Sequence, residues 1–276
     1  MDVPQSNMLD DPGLREIVQI VKQIHGFDFS EYAKASLKRR IIRAMKLCKM
    51  NFYDLKHALT NDSPFFRFFL EEITVNVTEM FRDPLFYIAL KEKVLLYLAS
   101  SPQIKIWSAG CSTGEEVYSM NMLLRDTNLK GQSVIYGTDI NSEAISVARR
   151  GIYSLRQIKS YVSNYRASGL SGSITDHFTM MYDAATIHSE LKQNISLSVH
   201  NLVSDPVFNE FQLITCRNVF IYFETALQEK VLELFYKSLS PLGFLCLGPK
   251  ETIRSKTIEE KFKIFDDKQN IYQKMK

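Results

Sequence analysis

Cysteine is scarce. Cys48, Cys111, Cys216 and Cys246 are four among 276 residues, and no two stand close enough to suggest a zinc site or the framework of a small secreted domain. That scarcity points to a reducing compartment. With 11 glycines and 8 prolines the chain is neither collagen-like nor a low-complexity linker, and no repeat of fixed period runs along it. Long apolar runs are missing, and the segment from Met1 to Pro12 carries acids where a signal peptide needs a basic start and an apolar centre. The expectation is a soluble cytoplasmic protein that does not insert into a membrane. An excess of one charge is absent as well. The 34 basic and 31 acidic residues leave only +3, so any electrostatic role is local and a chain that coats nucleic acid along its length is excluded. The five histidines are scattered, without a helical metal-binding pair, and no metal is expected.

What is present is 45% hydrophobic and 12% aromatic, enough to build a substantial core. The first third reads as helix. Asp11 and Pro12 start a run in which Leu14, Ile17, Val18, Val21 and Ile24 recur at helical spacing until Gly26. A second helix is expected after Ser30, a third from the Asn51 and Asp54 capping pair, and a fourth from Ser63 and Pro64. These define an all-α N-terminal domain over residues 1–75. After a further helix begun by Asp83 and Pro84, short apolar runs alternate with helical stretches, the texture of an α/β domain over 76–276. Strands are expected near 104–107, 134–136, 195–199, 211–215 and 244–247, with helices over 115–124, 142–150 and 225–239. Residues 152–193 break the alternation and suggest a small β insertion on a parallel-sheet core.

The first strand runs through Trp107 into Ser108-Ala109-Gly110-Cys111-Ser112-Thr113-Gly114-Glu115-Glu116, where a helix begins at once. Small residues allow a sharp turn and close approach of a ligand to the backbone. The turn is neither Gly-x-Gly-x-x-Gly nor a phosphate loop, and Glu115 and Glu116 would repel a pyrophosphate. The second strand ends in Gly137-Thr138-Asp139, an acid able to accept both hydroxyls of a ribose. S-adenosylmethionine, with an adenosine, a sulfonium and no phosphate, suits these residues better than a dinucleotide. On these residues alone, Asp139 as a simple turn or cap residue fits equally well.

Three more segments carry the reading further: Asn76-Val77-Thr78-Glu79-Met80-Phe81-Arg82, Asn201-Leu202, and Cys216-Arg217-Asn218-Val219-Phe220-Ile221-Tyr222-Phe223. Together with Ser112 to Ser119 they resemble the chemotaxis receptor methyltransferases of the CheR type, in order and over nearly the whole chain. The resemblance implies a Rossmann-like S-adenosylmethionine-dependent domain with a β subdomain at about 172–192, esterifying glutamate side chains in the cytoplasmic domains of chemotaxis receptors and releasing S-adenosylhomocysteine. It implies cofactor contacts from Asn76, Thr78, Arg82, Gly110, Glu116, Asp139, Asn201, Leu202, Asn218 and Val219, with Arg82 and Tyr222 at the reacting carboxylate. Val117, Gln212 and the pair Pro249-Lys250 depart from the usual pattern, the last at the rim of the cleft.

From Tyr32 to Tyr53 there is no acid but seven cations, of which Lys38, Arg39, Arg43 and Lys46 are expected to engage the substrate. Such a run self-repels unless it meets something acidic. Charge alone admits nucleic acid as well as acidic protein. The resemblance points to glutamate-rich receptor helices, and nucleic acid is not expected as a partner. The alternatives are an RNA methyltransferase and a non-catalytic S-adenosylmethionine-binding module.

Overall fold

The computed structural model describes residues 9–74 and 77–275. The chain divides into two units, one running to Val75 and taking back Ile221–Gln228, the other holding Asn76–Phe220 and Glu229–Lys276.

The first unit is helical: α1 (Asp11–His25), α2 (Lys34–Leu47), α3 (Phe52–Asn61) and α4 (Ser63–Ile73). Two starts lie one residue earlier than the sequence pattern suggests. The cap of α1 is Asp10, whose carboxylate accepts from the Gly13 N–H at 2.7 Å, and Asp62, not Ser63, caps α4 through the Phe65 N–H at 2.9 Å. In each case two candidate caps stand side by side, and the residue placed three before a free N–H takes the role. α3 has the full capping box of Asn51 and Asp54. Leu14, Ile17, Val21, Leu37, Ile41, Leu55, Leu59, Phe69 and Leu70 turn inward to form the core of this unit.

The second unit is a seven-stranded sheet in the order β6-β2-β1-β7-β8-β10-β9. Its strands are β1 (Ile104–Ala109), β2 (Ser133–Asp139), β6 (Ile195–Val199), β7 (Phe211–Cys216), β8 (Leu239–Leu247), β9 (Phe262–Asp266) and β10 (Ile271–Lys274). The β6, β2, β1, β7 and β8 pairs are parallel, and β10 joins β8 and β9 antiparallel. The β9-β10 hairpin was not expected from the sequence. Helices α7 (Glu115–Asp126), α8 (Ser142–Arg150) and α10 (Thr225–Ser238) supply crossovers, and a short α11 (Lys256–Glu259) precedes the hairpin. Upstream of β1, α5 (Pro84–Ala89) widens into a π turn over Leu90–Leu95 and closes as α6 (Leu96–Leu98). β1 and β7 are buried at every position but Lys105 and Gln212, which are partly buried, and apolar residues fill most of the rest. Trp107 lies in this core, its indole N–H donating to Thr138 Oγ1 at 2.8 Å. The insertion forms a separate sheet, β3-β5-β4, from β3 (Ile152–Ser154), β4 (Phe178–Met180) and β5 (Ala184–Ile187). It begins earlier than 172 and encloses a 13-residue helix, α9 (Leu155–Ala167), opened by a Ser154 and Gln157 capping box.

Candidate active site

Strand order reverses between β1 and β7, and ligands of open α/β sheets bind outside the carboxyl ends of the strands at such a switch point. Here β1 turns back through Gly110, at φ +74, a region an L side chain enters only with strain. A Cβ on Gly110 would lie 2.5 Å from Val219 Cγ2, so glycine is what lets the turns after β1 and β7 meet. The Gly110 and Cys111 N–H groups both donate to Thr138 O, at 2.8 and 2.9 Å, tying this turn to the end of β2.

Asp139, 9% exposed, accepts from the Ser112 N–H at 2.8 Å and from the Asn141 N–H at 2.9 Å. The cap of α8 is Asn141 itself, so Asp139 is not a helix cap. Burial pushes the Asp139 carboxyl above its ordinary range, opposed by the N–H groups of Asn141, Ser112 and Ile140. The His200 N–H donates to Asp139 O at 3.0 Å, which brings the turn after β6 alongside. There Asn201 Oδ1 accepts from the Val203 N–H at 2.9 Å, and Leu202 is half-buried beside it.

Glu116 sits in the first turn of α7, facing β1 and β7. Its Oε1 accepts from Ser108 Oγ at 2.8 Å and Thr215 Oγ1 at 2.6 Å, while Oε2 lies 3.6 Å from Arg217 Nη1. Glu115, beside it, is fully buried and accepts from Thr113 Oγ1 at 2.6 Å and Tyr161 OH at 3.1 Å. Burial drives its carboxyl upward, opposed by those hydroxyls.

The loop before α5 was read as ending in a cap at Asp83. Asp83 instead has φ +58 and makes no capping bond, and its carboxylate takes Arg217 Nη2 at 2.8 Å. Phe81, φ +54, is the second strained residue, so Arg82 stands between two left-handed neighbours. The loop is pinned by the Phe81 N–H to Ser119 Oγ at 2.9 Å, by Asn164 Nδ2 to Met80 O at 3.1 Å and by Arg217 Nη1 to Arg82 O at 3.3 Å. The Arg82 side chain turns back to donate to Val77 O at 3.0 Å, across the half-buried Thr78. Asn76 lies outside the described residues.

Gly110, Glu116, Asp139, Asn201, Leu202, Asn218, Val219 and the Arg82 loop thus all belong to the catalytic unit and connect through the ends of β1, β2, β6 and β7. Lys38, Arg39, Arg43, Lys46 and Tyr222 belong to the helical unit. On α2, Leu37, Ile41, Ala44 and Met45 are buried and the cations face outward; Lys38 reaches Asp11 at 3.3 Å and Arg43 reaches Glu72 at 3.2 Å. An open groove of about 720 Å³ runs between Ala35, Ile42 and Leu47 and the four cations. Tyr222 O accepts from the Ala33 N–H at 2.8 Å, and the Arg40 guanidinium lies 5.6 Å above the Tyr222 ring. Sequence reasoning singled out neither Arg40 nor Arg217. Arg217 pairs with both Asp83 and Glu116, its side chain 3% exposed and its guanidinium 4.0 Å over the Phe86 ring. Its signal was a cation inside an apolar strand end.

The site fits a phosphate-free nucleoside donor. Asp139 and Glu116 put acids at the strand ends, the one buried cation beside them among the described residues, Arg217, is held by Asp83 and Glu116, and no buried cation is left there for a pyrophosphate. The sheet is open and mostly parallel, with carboxylates at its switch point, a Rossmann-like arrangement. The family described as "CheR methyltransferase, SAM binding domain" matches residues 76–270, and "CheR methyltransferase, all-alpha domain" matches 12–74. The chain belongs to the CheR methyltransferase family, and its cofactor is S-adenosylmethionine. It is 38% identical over 262 residues to Cher3 of Pseudomonas putida, covering 95% of this chain and 96% of that one. A chemotaxis protein methyltransferase of Listeria monocytogenes is 30% identical over 85% of this chain and 88% of its own. That of Escherichia coli is 27% identical, over 88% and 85%. Among the described residues no helix is long and apolar enough to cross a membrane, and no group of three or more His, Cys, Asp or Glu could hold a metal ion.

Proposed function

We propose that this chain transfers methyl groups to glutamate side chains on the cytoplasmic domains of chemotaxis receptors. The observation that carries the reading is the pairing of a carboxylate-lined donor site with an acid-free, cationic α2 in the other unit. The names of the Listeria and Escherichia relatives support the chemotactic setting.

S-adenosylmethionine supplies an electrophilic methyl on sulfur; the C–S bond breaks as a carboxylate oxygen forms the new O–C bond, and the electron pair leaves with the sulfur. A glutamate carboxyl has a reference pKa of about 4.3, so at neutral pH the nucleophile is already ionised and no general base is required. The chain's task is then binding and alignment. Asp139 would accept the ribose hydroxyls, Glu116 would face the methionine portion, Asn201 and Leu202 would border the adenine, and Thr78, Gly110, Asn218 and Val219 would line the remainder, with Asn76 added by the family resemblance alone. Arg82 would hold the acceptor carboxylate, and Tyr222 is assigned to the acceptor by the family resemblance alone. Orientation of this kind is worth about 7–11 kcal/mol in favourable cases. Lys38, Arg39, Arg43 and Lys46 draw in an acidic helix, a rim effect that acts mainly on encounter and weakens with salt.

The test is incubation of the purified protein with methyl-labelled cofactor and bacterial membranes. Base-labile methyl esters on a membrane polypeptide are expected. Alkali-stable label on RNA, or binding of cofactor without turnover, would overturn the proposal.

A further inference from the structure

β7 and β8 run parallel, with Cys216 opposite Leu247, and their next residues leave the sheet side by side. Asn218 does so at φ +62, a conformation that a non-glycine residue keeps only where its surroundings over-determine it. Glu251, 3% exposed, lies between the two ends. A single carboxylate oxygen, Oε2, accepts from the Asn218 N–H at 2.9 Å and the Gly248 N–H at 2.7 Å. The Glu251 N–H donates back to Gly248 O at 3.0 Å, and Asn270 Nδ2 donates to the same carbonyl at 2.8 Å. A Cβ on Gly248 would lie 2.6 Å from Glu251 Oε2 and 2.8 Å from the Asn218 nitrogen, so only glycine admits the carboxylate to this position.

We propose that Glu251 is a positioning residue for the methyl donor. Its carboxylate fastens the Asn218-Val219 turn to the end of β8, and Val219 in turn closes on Gly110. Two hydrogen bonds to one charged acceptor are short and directional, which is how a buried side chain fixes a strained turn. Glu251 thereby acts on donor affinity through the backbone of Asn218. This rests on the reading of Asn218 and Val219 as donor lining. It also gives Pro249 and Lys250, which depart from the family pattern, a place in the fold: they span the short arch between Gly248 and Glu251.

The experiment compares the wild-type chain with Glu251→Ala, Glu251→Gln and Gly248→Ala in two assays. The first is amide hydrogen exchange of the free protein, and the second is calorimetric binding of S-adenosylhomocysteine with KM and kcat for the donor. Because one oxygen takes both N–H groups, the glutamine carbonyl can replace it. Glu251→Gln is expected to stay within about threefold of wild type in Kd. Glu251→Ala and Gly248→Ala are expected to speed exchange at Asn218 and Gly248 and to raise Kd and KM about tenfold, equivalent to about 1.4 kcal/mol, with kcat at saturating donor within about threefold. Unchanged exchange at Asn218 in Glu251→Ala refutes the clamp, and unchanged Kd refutes its link to the donor. Loss in Glu251→Gln as large as in Glu251→Ala refutes the hydrogen-bonding account. A wild-type chain that fails to bind S-adenosylhomocysteine rejects the donor-lining reading instead, while the exchange assay still decides the clamp.

Discussion

Replacing Arg217 with methionine keeps a long apolar stem and removes the charge, along with the guanidinium's contact over the Phe86 ring. The guanidinium pairs with Asp83 at 2.8 Å and with Glu116 at 3.6 Å, and donates to Arg82 O at 3.3 Å. Breaking a buried pair by removing one partner costs about 3–5 kcal/mol. Here the upper end is not reached, because the Asp83 side chain is 38% exposed and can rehydrate, and Glu116 keeps its two hydroxyl partners. About 2–3 kcal/mol is expected, a fall in Tm of roughly 4–12 °C for a domain of this size. The loop that Arg217 holds is strained, and relief of that strain offsets part of the loss. Phe81 and Asp83 hold left-handed backbone that costs about 1–2 kcal/mol per residue, and Arg217 is one of three groups pinning that loop. The assay is urea and thermal unfolding followed by fluorescence of Trp107, the single tryptophan, which sits in the core of the same unit. A cycle with Asp83→Asn should give a coupling energy of about 1–3 kcal/mol. A loss below about 0.5 kcal/mol in Arg217→Met, with additivity in the cycle, would refute the idea that this ion pair organises the loop.

Gly110→Ala combines a strained φ with a Cβ only 2.5 Å from Val219 Cγ2, so S-adenosylhomocysteine affinity should fall by about one to two orders of magnitude; calorimetry would detect it. Glu115→Gln tests buried charge. Because the folded carboxyl titrates above its ordinary 4.5, wild-type stability declines as pH rises from there through the raised value. The glutamine variant, able to pair with the same two hydroxyls, should therefore gain in Tm relative to wild type at pH 7 and lose that gain near pH 4 in a thermal scan. Asp139 has the same sign: if its ionised form accepts the ribose, as proposed, donor affinity should begin to weaken on acidification before the ordinary aspartate value of 3.8 is reached. Charge reversal at Arg39 and Arg43 should reduce methylation of membranes at low salt by about tenfold or more and leave S-adenosylhomocysteine binding unchanged; equal loss of both would point to damage to the fold.

The sheet was legible where burial is uniform. Phe211 to Cys216 is mostly apolar because both faces of β7 are covered, and the turn residues of Asn141 and Gly151 bracket α8. Legibility failed where local chemistry is degenerate. Asp10 and Asp11 are both able caps, and only the position of the Gly13 N–H chooses between them. β9 and β10 carry lysines among their apolar residues and β9 is the sheet's edge strand, so their alternation reads as readily as loop. The π turn in 90–95 leaves no periodic mark, since one inserted residue shifts the apolar face without breaking it.

The site shows the same division. Glu116 and Asp139 could be named from sequence because each sits within a few residues of a strand end whose turn announces itself. Asp83 was misread for the same reason: beside a proline it satisfies a local rule, whereas its true partner lies 134 positions away. An ion pair of that span has no period and no spacing, and its two halves look like a cap and a stray cation until the sheet brings them together. Glu251 is a stronger case, since its two acceptor bonds go to backbone N–H groups, which every residue but proline carries. No side-chain pattern can announce such a contact. The glycine it requires at 248 is the only trace it leaves in the sequence, and that glycine acquires meaning only once the carboxylate is seen to occupy the space of its missing Cβ.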